Sequence, residues 1–391
     1  MKNNPCIAAA SEMRPGRYPD EDGFSLYQRV LKEFFQEWRI KPSDIGGLFA
    51  APAGMASGNG AEVFIHERLV DDLGIHPAVA ETINAGGATY SVMIQRAALA
   101  IEKGLADGIL CMGAGKFPKV SAGGAEEMAK MVSHPDFEFP YGAAIYALYA
   151  LVATAHMEAF GTTPEHLASV AVSERKWALH HPKALMRDKG GLSIEDVLAS
   201  RMIATPFHLL DCSVPCEGGG VLLVCSKAMA KRINPNPAYI LGFGEKHDYG
   251  FISQSRSFTS LLGARDTGKA AFKMAGLDPK DIDFVELYDA FSINPIVLLE
   301  DLGFVPKGKG GPFVMEGHTD PGGDLPSNTY GGLLSFGHTG DASGISMIIE
   351  AALQLMGKAP GIQLEKAEAG LVHTYGGMMA EHATLILGRH A

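Results

Sequence analysis

The chain has 391 residues, 47% hydrophobic and 20% charged, with a formal net charge of -11. That composition excludes a disordered chain, and the length calls for more than one ordinary core. The acidic balance, with no long basic run against it, argues against a nucleic-acid partner while leaving room for a local basic patch that holds an anionic ligand. In chain order, residues 6–13 read as a strand, 25–40 as a helix, 45–52 as a strand, 63–73 as a helix and 79–83 as a strand. A glycine turn and a helix that is small or apolar on nearly every face follow over 84–104, and such a helix is buried. After a strand at 108–113 the pattern breaks into Gly, Pro, His and charged stretches from about 116 to 201, around helices at 147–160 and 164–179. An insertion of this kind is expected to build a lid or binding loop. A strand at 221–224 closes the first half. The second half opens near Tyr239 and continues with a helix at 269–275, a strand at 284–288 and a helix at 294–302. A buried helix after Asp341 and strands at 371–374 and 383–387 complete it. The alternation predicts an α/β chain with mainly parallel strands.

The two halves echo each other. Between 86–99 and 340–353, seven positions are identical without a gap: Gly86/Gly340, Ala88/Ala342, Met93/Met347, Ile94/Ile348, Ala97/Ala351, Ala98/Ala352 and Leu99/Leu353. Upstream, Pro42-Ser-Asp-Ile45 and Pro279-Lys-Asp-Ile282 repeat a Pro-x-Asp-Ile signature in the same order. Ordered echoes indicate a duplication, with halves at 1–234 and 235–391. The five cysteines (Cys6, Cys111, Cys212, Cys216, Cys225) are odd in number and irregularly spaced, which fits free thiols. Cys212 and Cys216 lack a second pair at ligand spacing, so no metal site is expected. With no run of eighteen apolar residues and no export-type leader, the chain reads as cytoplasmic, without a membrane contact.

Four stretches carry a family resemblance: Gly86 to Ser91; Leu209-Leu-Asp-Cys212 with Glu217-Gly218-Gly219; Glu286-Leu-Tyr-Asp-Ala-Phe291; and Asn328-Thr-Tyr-Gly-Gly332 leading to Gly337-His-Thr-Gly-Asp-Ala-Ser-Gly344. Over nearly its whole length the chain resembles the thiolase superfamily, within it the sterol-carrier-protein-type thiolases and the steroid side-chain retro-aldolases. The resemblance implies two βαβαβαββ-type halves in a layered α-β-α-β-α fold, with the insertion as a lid. It implies His338, in a Gly-His-x-x-Gly-x-x-Gly loop, as an acid or base, a role an imidazole fills near neutral pH. Tyr288 falls where the family carries Asn or His and can donate to an oxyanion. Tyr375, in a loop replacing the family's second cysteine, is a further acid or base, or a packing residue. The nucleophilic cysteine that thiolases keep at the start of the first buried helix has Gly87 in its place, so no acyl-cysteine intermediate is expected. Gly337, Gly340 and Gly376 complete the oxyanion loops. Arg175, Lys176 and Lys183 are candidates for the phosphates of coenzyme A, or a solvated lid face. Three readings stay open: a thiolase acting on a branched or aromatic 3-oxoacyl-CoA without an acyl-enzyme, a retro-aldolase acting on a 3-hydroxyacyl-CoA, and a non-catalytic acyl-CoA-binding subunit. The resemblance also implies a homodimer and a small OB-fold and zinc-ribbon partner subunit.

Overall fold

The computed structural model describes residues 4–53, 62–117, 126, 129–142 and 144–391, so residues 118–125, 127, 128 and 143 of the expected insertion lie outside the described residues. The first half contains β1 (Cys6–Glu12), α1 (Gly23–Trp38), β2 (Gly47–Ala50), α2 (Ile65–Leu73), β3 (Val79–Thr82), α3 (Thr89–Glu102) and β4 (Gly108–Gly115). The insertion follows with α4 (Ile145–Phe160), α5 (Pro164–Ala178), α6 (Ile194–Ala199) and a short hairpin, β5 (Met202–Ala204) and β6 (Phe207–His208). Then come β7 (Gly218–Cys225), α7 (Lys227–Ile233), β8 (Ala238–His247), α8 (Leu262–Ala275), β9 (Phe284–Leu287), α9 (Ile293–Asp301), α10 (Gly310–Met315), α11 (Ile345–Met356), β10 (Ala369–Gly376) and β11 (Glu381–Gly388).

Local chemistry accounts for the outer elements. The carboxylate of Asp22 accepts from the Ser25 backbone N–H at 2.7 Å and caps α1, whose buried Leu26, Tyr27, Val30, Leu31 and Phe34 recur at helical spacing. The Pro-x-Asp-Ile echoes are two short 3₁₀ turns, Pro42–Asp44 and Pro279–Asp281, each leading into an equivalent strand. In each, the aspartate accepts from a backbone N–H three residues back, at 3.1 and 2.9 Å.

The main sheet has the order β3-β2-β4-β7-β1-β8-β11-β10-β9. Its halves mirror each other: β2–β4 and β9–β10 are parallel, while β4–β7, β7–β1, β10–β11 and β11–β8 are antiparallel. The partner of β3 in the second half is reduced to a parallel bridge between Val285 and Ser327. The expectation of mainly parallel strands is therefore corrected to a mixed sheet. Each half ends by returning a strand beside its predecessor, after the insertion in β7 and through a tight turn in β11, and such returns are antiparallel.

Within the sheet, the described strands of the two halves pair through Cys6↔Tyr239 and Ile7↔Ala238. Both α3 and α11 touch strands of both halves, whereas α1 and α8 cover the outer faces. The sheet must therefore fold over the two helices, which gives five layers, α-β-α-β-α. Of the fourteen residues of α3, eleven are buried, which is why its sequence has no polar face. No helix among the described residues is long and apolar enough to cross a membrane.

The outer helix α8 lies directly on β8 because that strand lacks side chains facing it: a Cβ on Gly242 would stand 2.2 Å from the Ala271 carbonyl oxygen. Gly242→Ala is expected to lower the unfolding free energy by ~1–3 kcal/mol through overpacking. Gly191→Ala, where nothing lies within 4 Å, serves as the neutral control in a urea titration. Equal effects of the two substitutions would contradict the close approach.

Candidate active site

Four pieces of chain from both halves converge where α3 and α11 begin. The turn before α3 brings Gly86 and Gly87; the end of β9 brings Tyr288; the loop before α11 brings His338 and Ser343; the β10–β11 hairpin brings Tyr375 and Gly376. Gly86 and its duplicate Gly340 share one left-handed conformation, φ 56° and 58°, which only glycine adopts at no steric cost. The two turns press together: a Cβ on Gly344 would sit 2.2 Å from the Gly87 carbonyl oxygen, and one on Gly376 2.0 Å from that of Ala85.

Residues 212–216 stitch the chemistry in place. Ser213 N–H donates to the Ala290 carbonyl at 3.0 Å and Val214 N–H to that of Leu333 at 3.0 Å. His338 N–H donates to the Val214 carbonyl at 2.7 Å, and Cys216 N–H to that of His338 at 2.9 Å. This one segment thus spans from the Tyr288 stretch to the His338 loop.

The Tyr288 hydroxyl lies 3.2 Å from His338 Nε2 and 2.8 Å from Ser343 Oγ. Burial pushes the phenol up to about 12, so it remains a neutral donor. Burial pulls the His338 imidazole down to about 4, which leaves it neutral and able to take a proton. The His338 ring meets Phe117 and Tyr288 edge-on, and its Nδ1 has no hydrogen-bond partner among the described residues. A neutral base and a neutral acid thus face each other.

Gly87 has no room for a side chain. A Cβ there would stand 2.4 Å from the Tyr375 carbonyl oxygen and 2.6 Å from Cε2 and Cζ of Tyr288. The Tyr288 ring occupies the volume into which a side chain at position 87 would project.

The sequence-derived candidates divide into two groups. Gly87, Tyr288, Tyr375, His338 and Gly376 come together. Tyr375 packs edge-on to Tyr288, ring centroids 4.8 Å apart, and its enclosed hydroxyl faces Tyr149, where burial holds it far above the usual phenol range. Gly337, at φ 132°, lies against Cys216, and Gly340 against the Lys116 carbonyl. Arg175, Lys176 and Lys183 are not brought together as a phosphate site. Arg175 is buried, with Nε on Ser335 Oγ at 3.1 Å and Nη1 on the Gly190 carbonyl at 3.2 Å. Lys176 pairs with Asp320, and Lys183 donates to the Glu12 carbonyl. The solvated lid face offered for Arg175 is corrected accordingly, while Lys176 is exposed: α5 is a core helix, its Ser173 Oγ 2.9 Å from Thr319 Oγ1 and its Trp177 indole donating to the Thr319 carbonyl at 2.9 Å. Sequence reasoning passed over Ser343, which stood inside the quoted glycine loop, and Tyr149 and Phe117, for which the sequence carries no signal.

Comparison with known proteins agrees with this geometry. The thiolase C-terminal domain-like family model matches residues 244–389. The chain is 34% identical to an acetyl-CoA acetyltransferase of Methanothermobacter thermautotrophicus, over 83% of this chain and 84% of that protein. It is 30% identical to a steroid side-chain-cleaving aldolase of Thermomonospora curvata, over 82% and 83%. Among solved structures, the Ltp2-ChsH2(DUF35) aldolase superposes with a TM-score of 0.85 at 26% identity, over 99% of this chain and 98% of that one.

Two outcomes follow from the geometry. Incubating the protein with an acyl-CoA is expected to leave no acyl mass on the intact chain. Position 87 cannot hold a thiol, and burial pushes the Cys111 and Cys216 thiols up, away from thiolate. A stable adduct on any cysteine by mass spectrometry would overturn this. A step that needs neutral His338 is expected to fail only as pH drops through about 4, not at the ~6.5 of a free imidazole. The acid limb of kcat/KM checks it, and a limb near ~6.5 would overturn the lowered value of His338.

Proposed function

The chain belongs to the thiolase superfamily, and on that premise we propose that it is a carbon–carbon lyase that cleaves the Cα–Cβ bond of a 3-hydroxyacyl-CoA by a retro-aldol step. The observation that carries this reading is the Tyr288 ring standing where a side chain of residue 87 would project, with its hydroxyl 3.2 Å from His338 Nε2. A thiolase that works through an acyl-cysteine needs its thiol at that point. A retro-aldol reaction needs one substrate, one base and one donor to an enolate.

In the step proposed, neutral His338 takes the proton of the 3-hydroxyl. The C–O bond becomes a carbonyl, the Cα–Cβ bond breaks, and its electron pair passes into the thioester as an enolate. The Tyr288 phenol hydrogen-bonds the enolate oxygen, with the first turns of α3 and α11 converging on the same place. Their positive ends favour negative charge there. The proton on His338 returns to Cα, and a ketone or aldehyde and a shortened acyl-CoA leave. Ser343 orients the phenol.

The second reading, thiolysis of a 3-oxoacyl-CoA by free coenzyme A without an acyl-enzyme, is favoured by the acetyltransferase name of the 34% identical relative. The name of the solved aldolase, which joins two components, supports a second subunit; we propose that it is a small protein of the OB-fold and zinc-ribbon type on a homodimeric core. We place the division between the halves at 234/235.

The test uses a branched 3-hydroxyacyl-CoA without free coenzyme A and its 3-oxo counterpart with it. The first is expected to give a carbonyl product and a shortened acyl-CoA, and His338→Ala to lower kcat by ~10²–10⁴. Turnover of the 3-oxo substrate alone would move the assignment to the second reading.

A further inference from the structure

The stretch 328–330 threads between four buried carboxyl groups that no step above uses: Glu174 on α5, Glu286 on β9, Asp289 just after β9, and Glu350 on α11. Their hydrogen bonds constrain where protons must be. The Thr329 hydroxyl lies 2.8 Å from Glu286 Oε1 and 3.0 Å from Glu350 Oε1. A hydroxyl has one proton to donate, so Thr329 serves one of these carboxyls at a time, and each has a further donor, the Thr329 N–H on Glu286 and the Gln354 amide on Glu350.

The other pair, Glu174 and Asp289, is tighter. Glu174 Oε2 and Asp289 Oδ2 both converge on Gly332, 2.2 and 2.5 Å from the point where its Cβ would stand, so the two carboxyls face each other there. Glu174 Oε1 accepts from Asn328 Nδ2 at 2.8 Å, and Asp289 Oδ2 from the Leu334 N–H at 3.0 Å. Among the described residues, Glu174 Oε2 and Asp289 Oδ1 have no hydrogen-bond donor. Among the described residues, the titratable groups that face the pair are Glu286 and Tyr288 from β9 and its end, Tyr330 from the loop and Tyr375 from β10, none of them a cation. Two buried carboxylates that converge on one point with no cation facing them do not both remain ionised.

These contacts reach the reacting groups. Asn328, held at φ 51°, accepts from the Leu287 N–H at 2.7 Å and donates to the Leu287 carbonyl at 3.0 Å, one residue before Tyr288. Leu334, bonded to Asp289, follows Leu333, whose carbonyl receives Val214 N–H, and the Val214 carbonyl in turn receives His338 N–H.

We propose that Glu174 and Asp289 share one proton and act together as positioning residues, the shared proton tying α5 to the residue after Tyr288, whose carboxyl holds the 328–338 loop at Leu334, and so fixing His338 against Tyr288. Their part in turnover rests on the retro-aldol reading; the shared proton itself does not. Burial raises Asp289 to about 6 and Glu174 well above the usual carboxyl range. The hold of a group raised in this way is full in acid and is lost as pH climbs through its folded value. Rising pH therefore removes the shared proton and drives the carboxyls apart.

The experiment takes the full chain and two readouts. In infrared difference spectra at neutral pH, the wild type minus Glu174→Gln is expected to show a protonated carboxyl C=O band, absent from the variant. The wild-type band is expected to fade in alkali, which needs no variant at all. In turnover of a 3-hydroxyacyl-CoA, Glu174→Ala is expected to lower kcat roughly tenfold with KM unchanged, the consequence of leaving Asp289 and Asn328 without their partner. Glu174→Gln, which donates permanently, is expected to restore most of that loss and to abolish the alkaline decline of kcat. No carboxyl band sensitive to Glu174→Gln or to Asp289→Asn, or identical alkaline limbs in wild type and Glu174→Gln, would overturn the proposal. A band that behaves as expected in a protein that does not turn over the substrate would instead sink the retro-aldol reading and leave the shared proton standing.

Discussion

Everything at the candidate site depends on backbone meeting backbone where two buried helices begin. The Gly87 carbonyl lies against Gly344, and the Ala85 carbonyl against Gly376, at distances that exclude a Cβ on either glycine. Only such contact lets the first turns of α3 and α11 lie side by side, so that their unpaired N–H groups and positive dipole ends point into one small volume. A developing enolate oxygen is an anion suited to that volume. The duplication supplies the symmetry of the arrangement, and the side chains that differ between the halves supply the chemistry.

Burial then selects the protonation states. In water a phenol and an imidazole would leave the pair ambiguous near neutrality. In this enclosure desolvation disfavours both charged forms, holding Tyr288 as a donor and His338 as an acceptor. Tyr375, still more deeply enclosed and facing Tyr149, is better suited to packing the Tyr288 ring than to exchanging protons. The ring of Tyr288 therefore excludes a side chain at residue 87 while its hydroxyl serves the reaction.

Much of this was legible in the sequence. The Pro-x-Asp-Ile echoes fall on equivalent 3₁₀ turns, and Gly86 and Gly340 share one conformation, because a repeated backbone geometry requires repeated residues. Strand direction was not legible, since a return over one hundred residues and a return over four look alike as apolar runs. Ser173 to Lys176 misled because alternating charge resembles a wet helix face, whereas Glu174 and Arg175 are buried against partners more than a hundred residues away or beyond the helix end. The start of α8 was missed because Gly263 and Gly268 read as breakers. Their missing side chains make room for His382 and Leu302.

The position of α3 also bears on how the chain is made. Its apolar surface needs strands of both halves, and β8, β10 and β11 are synthesised only after more than a hundred further residues. Until they arrive, the growing polypeptide carries a helix with one flank uncovered, a species prone to self-association. The stitching segment 212–216 waits as well, since its hydrogen-bond partners at 290, 333 and 338 follow it in the chain. Biosynthesis thus passes through an interval in which the first half holds a sticky surface and no chemistry, and the same docking event ends both conditions.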